Sequence, residues 1–415
     1  MNLTPPVSVI VVSQKRPTEL RRMLTSLRFL TYPAFEVIVV SDTDPHTAFP
    51  DLWHVNRIRY VPFHKANISA ARNAGLAQAA GEIVAFCDDD AIPESSWLDH
   101  LIAPFVDPGV GAAGGYVRGR NGISFQWKGR AFDRAARHID LRLDGTKPRV
   151  FCGTADLGIK TEGTNCAFRH KALQAVGGFD DSYVYYLDET DLNFRLGAAG
   201  WKTAIVPLAQ VHHGYAANAV RAENRVPLSL YEIGASKGHF LARCPAVANV
   251  AAVEFKSSQR NRLINFMLRG DIEPSGVTKL LRTLSQGLAD GQNRKAMVAI
   301  CKPPSSGMFS DFQNGEQTVG SVCFAGSWRQ KSKLAEHANT AISDGWRVTI
   351  LRFSKTALLH QHQFMNQGYW LQTGGLFGRS ERLTRTTTAQ NLKARAKQEL
   401  GRIDEVRPIE RVIYL

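Results

Sequence analysis

From Val7 to Phe86 the chain alternates short β-branched runs with helical periodicity, and this alternation limits the fold more than any other feature. Val7 to Val12 reads as a strand, and behind Lys15-Arg16-Pro17-Thr18 the apolar residues Leu20, Met23, Leu24 and Leu27 fall at helical spacing. Phe35 to Val40 is the next strand and ends in Ser41-Asp42, about 30 residues after the first begins, as a strand-helix-strand unit requires. Ile58 to Val61 is a third strand, Asn67 to Ala77 a small-residue helix, and Ile83 to Phe86 a fourth strand. Such a pattern implies a mostly parallel sheet covered on both faces. Ligands of these sheets bind where the strands end at their carboxyl edge, so Asp42 and Asp88-Asp89-Asp90 are expected along one crevice.

Further along, Ala112 to Val117 and Gly163 to Arg169 read as strands, and Lys171 to Val176 and Thr190 to Ala198 as helices. Ala204 to Val206 is a strand expected to stop before Pro207, after which come Val211-His212-His213-Gly214. The stretch 119–151 is basic, aromatic and without clear period. Residues 226–290 read as helices in which Phe255, Leu263, Phe266, Met267 and Leu268 oppose Lys256, Arg260, Arg262 and Arg269. Pro303-Pro304-Ser305-Ser306-Gly307 has linker composition, and from Val319 a second strand-helix-strand opening begins. Three domains are expected: an α/β catalytic domain over 1–225, a basic helical extension and linker over 226–302, and a small α/β accessory domain over 303–415.

Charge follows these divisions. Residues 1–216 carry 23 basic and 22 acidic side chains, residues 217–300 carry 12 and 6, and residues 301–415 carry 16 and 9, so nearly all of the +14 lies in the second half. With 44% hydrophobic and 21% charged residues the composition is that of a globular protein rather than a disordered one. No apolar run approaches the roughly 20 residues of a membrane span, and no basic segment precedes the first apolar run as in a secretory signal. A cytoplasmic location is expected, peripheral on the inner face of the plasma membrane if the basic half docks there. Six scattered cysteines without a Cys-x-x-Cys pair indicate neither a zinc finger nor a disulfide framework.

Three adjacent carboxylates at a strand end repel one another, and a divalent cation with a bound phosphate relieves this most simply. Oxygen ligands favour Mg²⁺ or Mn²⁺; the alternative is a solvated acidic turn. In Asp188-Glu189-Thr190-Asp191, Asp188 and Asp191 are spaced as the cap and third residue of a helix, which leaves Glu189 available as a general base. His212 and His213 point to opposite faces of a strand, so at most one can complete a metal shell with Asp90. Arg72, near a helix start with Asn73, can fork onto a phosphate or base edge; a surface salt bridge is the plainer reading.

Taken together, these residues resemble the glycosyltransferase family 2 pattern of the GT-A fold. The matching segments are Val7 to Val12 with Pro17-Thr18-Glu19-Leu20, Val37 to Asp42, Ala70 to Gly75, Phe86 to Asp90, Gly163-Thr164-Asn165 with Gly177 to Asp180, and Asp188 to Leu192 with Arg195. They occur in family order over roughly residues 5–215. The resemblance implies a GT-A-type Rossmann-like, mostly parallel sheet and an inverting transfer of a sugar from a nucleotide-diphosphate donor. It implies Asp88 and Asp90 as metal ligands, with His212 completing the Mg²⁺ or Mn²⁺ site and His213 as runner-up. Asp42, Arg72, Asn73, Asp88, Asp89 and Asn165 are implied on the nucleotide-sugar, Asp89 near the ribose. The catalytic set is Glu189, Asp188 and Asp191, with Glu189 the base and Asp188 its alternative. Two departures stand out: Ser41-Asp42 replaces the usual Asp-Asp, and Asp188-Glu189 the usual Glu-Asp.

The acceptor implied is a glycan or a polyprenyl-pyrophosphate-linked sugar, in assembly of a surface polysaccharide. The segment from Val319 faintly resembles the opening of a GT-B transferase domain, truncated and without the donor-binding half. A nucleotidyltransferase also uses paired carboxylates and a metal, but Ser13-Gln14-Lys15-Arg16-Pro17 stands where its Gly-rich triphosphate loop belongs. A basic nucleic-acid-binding protein is the other alternative; no recognisable nucleic-acid module accompanies the charge, and nucleic acid is not an expected partner.

Overall fold

The computed structural model of the protein describes residues 4–214, 222, 224–298, 301, 303, 309–313, 318–382 and 389–415; most of the expected linker 303–307 lies outside them. Its largest sheet has ten strands. The continuous path runs Arg149–Cys152, Lys202–His213, Val110–Arg118, Cys166–Arg169, Ile83–Asp88, Val7–Ser13, Phe35–Ser41, Ile58–Pro62. The last four are mutually parallel. Cys166–Arg169 is inserted antiparallel between Ile83–Asp88 and Val110–Arg118, and Lys202–His213 runs parallel to Val110–Arg118.

Successive side chains of a strand point to opposite faces, and here both faces are covered. Val9, Val11, Val37 and Val39 join Leu20, Met23, Leu24 and Leu27 of helix Pro17–Leu27 on one face. Ile10, Ile38 and Val40 meet Ala71 and Leu76 of helix Ile68–Leu76, with Phe168 and Phe179, on the other. Each fully buried Val or Leu contributes about 1.5–3 kcal/mol. Chain order reverses between Val7–Ser13 and Ile83–Asp88, where Val12 pairs with Asp88. The crevice at that reversal is where an open α/β sheet takes its ligand.

Three segments depart from the sequence reading. The unassigned stretch supplies Arg130–Asp133 and His138–Asp140, which form a small antiparallel sheet with Leu157–Lys160. Pro207 does not end its strand: Lys202–His213 continues past it through a register shift between Val206 and Gln210, where a residue lacking an N–H does no harm to the ladder. The helix expected from Thr190 begins at Asp188.

Helices Tyr231–Ala242, Pro245–Leu268 and Pro274–Gln292 form the extension. Leu230, Leu263, Leu280, Leu284 and Leu288 fill its core. Beyond it, a five-stranded sheet runs Gln361–Phe364, Tyr369–Gly375, Trp346–Ser354, Gly320–Ser327, Arg411–Tyr414. This C-terminal unit lies against the first domain. Phe364 and Trp370 join the main core, as does Phe312, whose N–H donates to the Phe35 carbonyl at 2.8 Å.

Candidate active site

Asp88, Asp89 and Asp90 turn off the end of their strand in three directions. Asp88 is the open one, 32% exposed, and accepts from Arg72 Nη2 at 3.3 Å. Asp89 is buried and points inward, accepting from Ser13 Oγ at 2.7 Å and pairing with Arg16 at 2.6 Å. Burial pushes its carboxyl well up, with Arg16 opposing. Asp90 pairs with Arg16 at 3.3 Å through one oxygen, and its other lies 3.3 Å from His213 Nε2. One ligand atom each from Asp88, Asp90 and His213 falls within 4.8 Å of the other two, a mixed oxygen and nitrogen set that fits a Mg²⁺ or Mn²⁺ ion.

The expected ligand His212 is on the other face of the strand. Its Nε2 is 2.7 Å from Glu94 Oε1, and its ring packs 4.6 Å from that of Trp370. Alternation along the strand explains why only its neighbour reaches Asp90. His213 Nδ1 meets Gln126 Oε1 at 3.1 Å, which orients the ring.

Arg72 connects the strand end to the second acidic cluster. Its guanidinium is buried, reaching Asp88 with one nitrogen and Asp188 with another. Burial works to lower its pKa, but Asp188 and Asp88 together raise it, so the charge is fixed. A Cβ on Gly163 would stand 2.4 Å from Arg72 Nη2, so glycine is what allows the guanidinium to lie there. Asp42 caps the loop after the first strand, accepting from the Lys15 N–H at 3.1 Å with each oxygen.

Helix Asp188–Ala198 begins beneath Arg72. Glu189 Oε1 is 2.6 Å from Lys160 Nζ, and Lys160 is 3.6 Å from Glu162. Adjacent Asp188 and Glu189 titrate together: burial pushes Asp188 up against the pull of Arg72, while Glu189, although burial opposes it, is held down by Lys160. Burial lifts Glu162 to about 7 despite Lys160.

The remaining expected residues are occupied elsewhere. Asp191 is buried between Arg195, at 2.9 Å, and Arg243, and so anchors its helix to Tyr231–Ala242 rather than facing the crevice. Asn165 takes Trp97 Nε1 at 2.7 Å and donates to the carbonyls of Tyr116 and Ala209, which uses its amide fully inside the core. Asn73 exchanges hydrogen bonds with the Phe179 backbone and donates to Asp181 at 2.7 Å, fastening a turn. Asp89 is likewise held by Ser13 and Arg16. Arg16, Lys160 and Glu162 were not singled out from sequence; for Arg16 alone there was a signal, its place in the loop after the first strand.

An acidic strand end at the sheet reversal, a shared buried arginine and a second acidic pair at a helix start define an α/β domain with a charged crevice at its carboxyl edge. Residues 8–176 match the family model described as glycosyl transferase family 2. The pre-mycofactocin glycosyltransferase of Mycobacterium tuberculosis is 30% identical over 217 residues, 50% of this chain and 43% of that protein. The O-antigen biosynthesis protein RfbC of Myxococcus xanthus is 30% identical over 250 residues, 55% of this chain and 18% of that protein. The chain thus spans less than half the length of either relative. An N-acetylglucosaminyl-diphospho-decaprenol L-rhamnosyltransferase of Mycobacterium tuberculosis is 49% identical over 45 residues, 11% of this chain and 15% of that protein. The expected α/β class, with a sheet domain followed by helices and a small C-terminal α/β unit, is the one observed.

Proposed function

We propose that the protein is an inverting glycosyltransferase that moves a sugar from a nucleotide-diphosphate-sugar to a glycan or polyprenyl-pyrophosphate-linked acceptor, in building a surface polysaccharide. The observation that carries this is the bridging of Asp88 and Asp188 by the single guanidinium of Arg72, which draws the metal-type carboxylates and the base-type carboxylates around one crevice. Asp88, Asp90 and His213 are the residues that would hold Mg²⁺ or Mn²⁺, which would supply positive charge to stabilise the departing diphosphate. In this reading Asp42 and Arg72 contact the nucleotide. Glu189 takes the proton of the acceptor hydroxyl as that oxygen bonds to the anomeric carbon, and the bond to the diphosphate breaks with its electron pair leaving on oxygen. A single displacement inverts the anomeric configuration.

Relatives named for O-antigen and diphospho-decaprenol chemistry support a lipid-linked acceptor. Among the described residues no helix is long and apolar enough to cross a membrane. We place the protein in the cytoplasm, with exposed basic residues such as Lys256, Arg260 and Arg269 available to an anionic membrane surface.

The test is Asp90→Ala against a panel of nucleotide sugars. Wild type should gain thermal stability with its donor and Mn²⁺, and release nucleoside diphosphate; the variant should lose both. Unchanged turnover in the variant, or release of pyrophosphate, would overturn the reading.

A further inference from the structure

Away from the crevice, three side chains able to ligate a metal converge inside the C-terminal unit. His360 and His362 come from the start of the edge hairpin, in and just before strand Gln361–Phe364, and Glu399 from helix Leu392–Ile403. His360 and Glu399 are fully buried and His362 is 6% exposed. One ligand atom from each lies within 4.8 Å of the other two.

The polar atoms of this cluster are incompletely paired. His360 Nε2 stands 3.3 Å from Glu399 Oε2 and 2.9 Å from Gln372 Oε1, so two acceptor oxygens crowd one ring nitrogen. Among the described residues, His362 Nε2 and Glu399 Oε2 have no hydrogen-bond partner. Buried polar atoms without partners are rare: the His362 Nε2 lone pair is open, and Glu399 Oε2 has beside it only His360 and, at 3.8 Å, Arg402 Nε, an arrangement a bound ion resolves. A separation of 3.3 Å between His360 and Glu399 also matches the edge of a tetrahedron around an ion with ligands at about 2.0–2.1 Å.

The supporting shell agrees with this. Glu399 Oε1 is held by Ser380 Oγ and, at 3.1 Å, by Arg395, which turns Oε2 toward the histidines.

We propose that His360, His362 and Glu399 bind one Zn²⁺ ion as a structural site of the C-terminal unit. Two imidazoles and a carboxylate suit zinc and not the all-oxygen preference of Mg²⁺. The ion fastens the edge hairpin to helix Leu392–Ile403 at the junction with the catalytic domain. There the His362 N–H donates to the Asn121 carbonyl at 3.0 Å, and its ring stacks 6.2 Å from that of His212. The junction is tight: a Cβ on Gly122, which holds φ +67°, would stand 2.5 Å from the His362 Cβ.

The full chain, free of any histidine tag and stripped with chelator, is titrated with Zn²⁺ and with Co²⁺. Wild type and Asp90→Ala should each bind one equivalent at this site, show the visible bands of tetrahedral Co²⁺, and unfold at a higher temperature when loaded. His362→Gln should lose that equivalent and the bands. Absence of the bands and of a zinc equivalent in Asp90→Ala overturns the proposal, as does their retention in His362→Gln. Should His362→Gln fail to fold, the Asp90→Ala titration decides alone, with Glu399→Gln as the second ligand variant.

Discussion

Arg72 carries the largest share of the crevice's balance of charge. Two carboxylates depend on it, and neither has another cation within ion-pair distance among the described residues. Arg72→Met leaves Asp188 buried and uncompensated beside Glu189, and should destabilise the domain by about 3–5 kcal/mol in urea unfolding. A loss below 1 kcal/mol would mean that Asp188 is neutral in the native protein. Glu162 makes a separate prediction. Its carboxyl ionises near 4.3 when unfolded but at about 7 when folded, so between these values the unfolded chain binds fewer protons and stability falls as pH rises. Glu162→Gln should flatten that slope, seen by comparing unfolding midpoints from pH 4 to 8. At this scale the sequence was informative wherever chemistry is contiguous: Asp88 to Asp90 and Asp188-Glu189 are each one strand end or one helix start. Lys160 and Glu162 were not legible, because their place beside Glu189 depends on a small sheet formed from a stretch with no periodicity. Asn73 and Asn165 carry family-type motifs yet hold backbone, since an amide in the core must satisfy itself before it can serve a ligand.

Among elements, the extension is held together by an unusually close helix pair. Tyr231–Ala242 and Pro274–Gln292 approach through Gly234, Gly238, Gly287 and Gly291; a Cβ on Gly291 would stand 2.0 Å from the Ala235 carbonyl oxygen. Gly291→Val should force the pair apart at a cost of about 1–3 kcal/mol, read as a lowered unfolding midpoint. Retained stability would show that the helices slide without loss. The helical character of 226–290 was readable, but glycine spacing as a packing device was not, because glycine signals a helix partner only once the partner is known. Lys256 and Arg260 remain exposed on Pro245–Leu268, and Arg269 just beyond its end. Cosedimentation with anionic vesicles that declines as salt is raised is expected if they meet a membrane; binding indifferent to salt would exclude an electrostatic role.

For the whole molecule, the decisive contact joins the two α/β units. Arg407 grips Glu94 with two nitrogens at 2.8 and 2.9 Å, and Glu94 also accepts from His212. All three side chains are buried. Although burial opposes it, Arg407 and His212 hold the Glu94 carboxyl far below its usual range. A depressed acid contributes its stability above its unfolded value and loses it as pH falls, so the junction should weaken below about pH 4.3. Glu94→Gln should remove that acid sensitivity and expose the junction to proteolysis; an unchanged cleavage pattern would show the units docked by apolar contact alone. Since His213 adjoins His212 on one strand, the same variant is expected to weaken Mn²⁺-dependent donor binding. Local order determined much of this protein: strand and helix periods, the acidic strand end at the sheet's carboxyl edge, and a charge surplus confined to the second half are properties of neighbouring residues. Only the tertiary structure decided which histidine faces the acidic triad, which carboxylates keep a cation, and that the C-terminal unit closes over the first domain through Phe312, Trp370 and Arg407. Those outcomes depend on pairs such as Glu94 and Arg407, more than 300 residues apart, for which a linear pattern has no signal.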